Sequence, residues 1–177
     1  MPHGSPVRLN PMNAVESSRE QLYRAAVGPK ADFYVPLFLK FDEAGVSGRS
    51  WNWPAFFVSF YWFLYRRMFG QWTLYCLLIP IAVALVAAIL AQLGISPFVG
   101  DVLCLGYAFG LLPLTANHLY YRAIQQRIAA VRAKSRDEAA QVSALEALPH
   151  TSELAIVVAF TAVALLGLAA GLLGASK

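Results

Sequence analysis

Three blocks of apolar residues, at 73–93, 102–121 and 154–173, run without a single Lys, Arg, Asp or Glu. About 20 helical residues, rising 1.5 Å each, cross the ~30 Å hydrocarbon layer of a bilayer. A helix on the surface of a soluble domain carries a polar face opposite its apolar one, and these blocks carry none. The composition agrees. Of the 177 residues 58% are hydrophobic and 14% charged, well under the roughly 25% charge of a soluble domain. The expected class is an all-α membrane protein with about three transmembrane helices, which together form the region 71–177.

The polar first quarter divides further. Residues 1–16, with Pro2, Pro6 and Pro11, read as a disordered tail carrying no secretory signal. Residues 17–50 read as a segment of short cytoplasmic helices. Ser17 and Glu20 have the spacing of a capping box before Leu22, Tyr23, Ala26 and Val27, and Gly28-Pro29 ends that helix. Asp32 is placed to cap a second helix, which tolerates Pro36 near its start. Phe33, Tyr34, Leu37, Phe38 and Phe41 give that helix one broad aromatic face.

Residues 51–70 are the aromatic part of the chain. The fifteen residues 51–65 span ~22 Å as a helix, ~8 Å short of a crossing. Trp and Tyr favour the headgroup region, where the ring is buried and the polar edge stays wet. Trp51, Trp53, Trp62 and Tyr65, followed by Arg66 and Arg67, therefore predict an interfacial or shallow re-entrant helix begun by Pro54. The alternative is a short additional crossing. It would move Arg8, Arg19, Arg24, Lys30, Lys40 and Arg49 to the outer side, against the tendency of positive charge to stay inside.

The same tendency sets the orientation. The turn 94–100 has no Lys or Arg, whereas Arg49, Arg66 and Arg67 precede the first span and Arg122, Arg127, Arg132, Lys134 and Arg136 follow the second. A cytoplasmic N-terminus and an outer C-terminus follow. The formal charge of +4 lies beside the apolar blocks, so no nucleic-acid partner is expected. Cys76 and Cys104 fall toward opposite ends of an antiparallel pair and read as packing residues rather than a disulfide.

Few residues carry chemistry. Asp101 and His118 are ionisable groups in or beside the second span, but ~25 Å apart along one helix they form no dyad. Both, with Asn117, also read simply as anchors near helix ends. Gly106 with Gly110, and Gly167 with Gly171, have the G-x-x-x-G spacing that lets helix backbones meet. No H-E-x-x-H, C-x-x-C or G-x-x-x-x-G-K signature is present. No catalytic group, metal or cofactor is therefore expected. The basic stretch after the second span either contacts anionic lipid or only sets topology.

Trp51-Asn52-Trp53-Pro54-Ala55-Phe56-Phe57, then Tyr65-Arg66-Arg67-Met68, then Asn117-His118-Leu119-Tyr120-Tyr121-Arg122 together resemble a family of small bacterial inner-membrane proteins known as a domain of unknown function. Its hallmark is W-N-W-x-A-F-F leading to Y-R-(K/R)-M, with a later N-x-x-Y-Y-R. The similarity covers roughly residues 21–132. It implies a bacterial inner-membrane location and carries no activity with it. The preferred function is a non-enzymatic scaffold or accessory protein acting on membrane lipids, other membrane proteins or further copies of itself. The rivals are a component of an oligomeric transporter or channel, and a lipid enzyme using His118 with Asn117.

Overall fold

The computed structural model describes residues 11–45, 48 and 50–175. Every regular element among them is helical, and they group into two compact units. The first comprises Met1–Gly48 with Tyr121–Pro149, the second Arg49–Tyr120 with His150–Lys177.

In the first unit, α1 (Pro11–Val27) starts within the stretch expected to be a tail. Ser17 and Glu20 therefore lie inside the helix, where its own turns satisfy the backbone that a capping box would serve. Gly28 ends it with φ 73°, its N–H reaching the Arg24 carbonyl at 3.0 Å. Helix α2 (Ala31–Ala44) is preceded by Lys30. Asp32 is thus not its cap but a first-turn residue, paired with Arg24 at 2.8 Å. Its buried stripe is narrower than the expected aromatic face. Ala31, Tyr34, Val35, Phe38 and Phe41 point inward, and Phe33 is 62% exposed. Spacings of three and four residues hold one stripe, and Phe33 falls off its edge.

Both α2 and a later helix, α6 (Glu138–Glu146), pack against α1. Asp137 caps α6 by accepting from the Ala140 N–H at 2.9 Å, and Leu145 fills the contact with no exposed surface.

The second unit opens with α3 (Trp53–Tyr65). Asn52 is its cap, accepting from the Ala55 N–H at 2.8 Å, so Pro54 is the second residue of the helix and not the first. Val58 breaks the helical dihedrals part-way (φ −129°, ψ 27°).

A turn through Arg67, at φ 56°, leads into the long α4 (Phe69–Gln92). Gly94, at φ 82°, turns the chain into α5 (Pro97–Arg132), whose residues from Tyr121 onward belong to the first unit. Ser96 precedes α5, although its side chain makes no capping bond.

Each long helix contains one widened π turn, Thr73–Leu78 in α4 and Tyr107–Leu111 in α5. In each, a proline follows two residues later, Pro80 and Pro113. Proline offers no N–H to the carbonyl four residues back and its ring crowds that carbonyl, so the preceding turn opens. The Ile79 N–H accordingly reaches Leu74, and the Leu112 N–H reaches Tyr107, each five residues back.

Within the α4–α5 pair the helices pack tightly at Gly100, where a Cβ would lie 2.8 Å from that of Ala87. The Tyr107 hydroxyl donates to the Tyr75 carbonyl, so the two π turns meet. Helix α7 (Glu153–Ala175) is capped by Ser152 and packs on α3. Tyr61 and Phe160 stack there with ring centroids 4.0 Å apart.

Among the described residues two helices, α4 and α5, are long and apolar enough to cross a membrane. The third expected block lies in α7, whose described apolar part is Glu153–Leu165.

Candidate functional site

The N-x-x-Y-Y-R segment of α5 contributes to a buried polar arrangement in the second unit. Asn117 is 1% exposed and Asn52 2%. The Asn52 side-chain amide donates to the Asn117 Oδ1 at 2.7 Å, and the Asn117 amide donates to the Ser50 hydroxyl at 2.9 Å. The Asn52 backbone N–H meets the Pro113 carbonyl at 3.2 Å. The W-N-W turn is thereby fastened to α5 by hydrogen bonds, of which that between Asn52 and Asn117 is buried.

One turn along, Arg66 donates to the Tyr120 hydroxyl at 3.3 Å and lies 5.0 Å from the centre of that ring. Arg66 is 4% exposed, and Trp62, also 4% exposed, packs edge-on to Tyr120. These two residues, expected at the headgroup level, are instead packed inside the unit. They lie on the face of α3 that meets α5, while Trp53 at 61% and Phe57 at 74% exposure lie on the other. Trp51 is 37% exposed and packs edge-on to Trp53. Tyr65 and Arg67 are half-buried.

The other candidates separate. Asp101 is exposed and lies beyond the first turn of α5, so it is not held at the positive end of the helix dipole. His118 is half-buried well inside α5, not near its end. Among the described residues nothing lies within 4 Å of a Cβ built on Gly106 or Gly110, so neither is a packing point among them. Gly167 and Gly171 lie outside the residues whose packing is described. Both cysteines are free, Cys76 buried and Cys104 exposed.

A charged cleft belongs to the first unit, and its central residue, Asp42, carried no expected role. Its carboxylate accepts from the Tyr23 hydroxyl at 2.8 Å and the Tyr121 hydroxyl at 2.5 Å. Arg19 approaches it only at 3.4 Å. Gln125, one turn beyond Tyr121, donates to the Tyr23 oxygen at 2.6 Å and the Tyr121 oxygen at 3.0 Å. Tyr23 is 1% exposed. Burial first, and then the hydrogen bond and negative charge of Asp42, raise its hydroxyl pKa above the ordinary 10.0.

Beside this network opens a cleft of about 270 Å³, with Arg19, Gln125 and Arg132 on its lining and the buried Leu22 and Ile128 beneath them. The spacing of Tyr121 and Gln125 places both on one face of α5. The 79 residues between Asp42 and Tyr121 leave no local pattern that would have joined them.

The family model of DUF2628, described as a protein of unknown function, matches residues 31–126. The chain belongs to the DUF2628 family. The match takes in the Asn52–Asn117 pair, Arg66 with Tyr120, and Asp42 with Tyr121 and Gln125. It ends before Arg132 and leaves α1, α6 and α7 outside. No curated protein and no solved structure is detectably similar to this DUF2628 chain.

Proposed function

We propose that this DUF2628 protein is an integral protein of the bacterial inner membrane that works without catalysis, through contacts with lipid and with other membrane proteins. One observation carries the reading. None of the residues in the most apolar stretch of α4 is buried, and in α5 the share is 11%. A core helix of a soluble protein of this apolarity would be covered by its neighbours. Leu85, Ile89, Phe98 and Leu105 stand more than half exposed, and hydrocarbon is the medium in which such a surface carries no penalty.

The charge asymmetry supports an α4–α5 turn outside and a cytoplasmic N-terminus, with α7 as a third crossing. The exposed aromatic face of α3, Trp53 and Phe57, suits the headgroup boundary. The Asn52–Asn117 pair is satisfied inside the unit, which argues for a structural fastening rather than a polar pathway. Alkaline extraction of membranes from expressing cells tests insertion. Release of the chain into the soluble fraction, or a large soluble oligomer that covers α4, would overturn it.

A further inference from the structure

We propose that the cleft beside Asp42 in the first unit is a binding site for a phosphate-bearing group. The inference is independent of membrane insertion, because it uses only groups of the first unit.

Asp42 is the acid of the cleft, and two phenolic hydroxyls already serve it at 2.8 and 2.5 Å. A carboxylate so solvated does not need a guanidinium. Arg19 correspondingly stays at 3.4 Å, with its side chain 48% exposed. Arg132 lines the same cleft and has no hydrogen-bond or ion-pair partner among the described residues. Each guanidinium carries five N–H donors in a fixed fork. Together they leave a surplus of donors and a net positive charge around one cavity.

Guanidinium forks match carboxylate and phosphate oxygens. A carboxylate presents two oxygens, enough for one fork. A phosphate presents three or more around a tetrahedron and can engage two forks from different helices. The volume of about 270 Å³ is at the small end of ligand pockets, roughly 300–1,000 Å³. It suits a headgroup or small phosphoester rather than a nucleotide cofactor. Leu22 and Ile128 close its floor almost wholly buried, so a bound group meets mainly polar atoms.

The test uses the full chain in a phosphate-free maltoside detergent, titrated with inorganic phosphate and with glycerol phosphate by calorimetry. Saturable one-to-one binding of both is expected. Arg132→Gln and Arg19→Gln should each weaken it about tenfold or more, the usual loss for one charge-assisted hydrogen bond. Arg122→Gln removes an equal charge from an exposed position that does not line the cleft and should change little. Unaltered thermal unfolding of the variants shows that the fold is intact.

Absence of saturable binding, or equal weakening by Arg122→Gln and Arg132→Gln, overturns the proposal. A second arm adds phosphatidylglycerol to the micelles. Displacement of glycerol phosphate identifies a lipid headgroup as the source, and its retention identifies a soluble phosphoester; either result upholds the site.

Discussion

The side-chain amide of Asn52 donates to the side-chain carbonyl of Asn117 at 2.7 Å, across 65 residues of sequence, with both residues almost entirely buried. Asn52 has a second duty, since its Oδ1 caps α3 through the Ala55 N–H. One side chain therefore starts a helix and fastens that start to another.

Loss of this pair should be costly and non-additive. Asn117→Ala strands a buried amide of Asn52, a loss of about 1–3 kcal/mol. Asn52→Ala removes the same bond and also a helix cap, itself about 0.5–2 kcal/mol. Denaturant unfolding in detergent should rank Asn52→Ala as the more damaging. The double variant should cost less than the two single losses combined. Additive losses would show that the pair is not coupled.

Gly100 and Gly106 should behave differently although both are small residues of α5. A Cβ at Gly100 meets Ala87 at 2.8 Å, whereas at Gly106 or Gly110 it meets nothing within 4 Å. Gly100→Val should destabilise the α4–α5 pair by about 1–3 kcal/mol or more through overpacking. Gly106→Leu with Gly110→Leu should leave the monomer as stable as before and weaken any self-association along that face. Thermal unfolding together with oligomer size in mild detergent separates the two effects.

Alkaline pH should act through Tyr23. Its hydroxyl is held neutral above its ordinary pKa of 10.0 by burial and by Asp42. A folded pKa above the unfolded one gives stability that is whole below pH 10.0 and is lost above it, as the unfolded chain ionises first. Unfolding midpoints followed from neutral to alkaline pH should fall in that window. Tyr23→Phe should be less stable at neutral pH by about 0.5–1.5 kcal/mol and should show a shallower alkaline decline. An equally steep decline in Tyr23→Phe would assign it elsewhere.

Topology and catalysis give a further pair of outcomes. Reporter fusions at residues 45 and 140 should be cytoplasmic, and fusions at the α4–α5 turn and the C-terminus external. A cytoplasmic C-terminus would remove the third crossing. His118→Ala should leave complementation of a deletion strain intact, since loss of a general acid–base group would cost ~10²–10⁴-fold in rate. Failure of a normally expressed His118→Ala protein to complement would favour an enzyme.

The apolar blocks, the turn that follows the first of them and the proline near the start of α3 are local features. Periodicity, proline and glycine specify them within a few residues of chain, so helicity and the approximate helix ends could be read directly. The reading erred where a local signal competed with continuation of a helix. The Ser17–Glu20 spacing is a cap only if the chain before it is not helical, and α1 runs through it from Pro11.

What tertiary structure decided is which face of an aromatic or charged stretch turns inward. Trp53 and Trp62 have the same chemistry and differ in exposure, 61% against 4%, because only Trp62 lies toward Tyr120. Arg66 was legible as a flanking charge and became a buried partner of the same ring. The Asp42 cluster needed α1, α2 and α5 brought together. Hydrogen bonds between residues 19 to 102 positions apart leave no periodic trace, since each depends on where three helices meet and not on any neighbour in sequence.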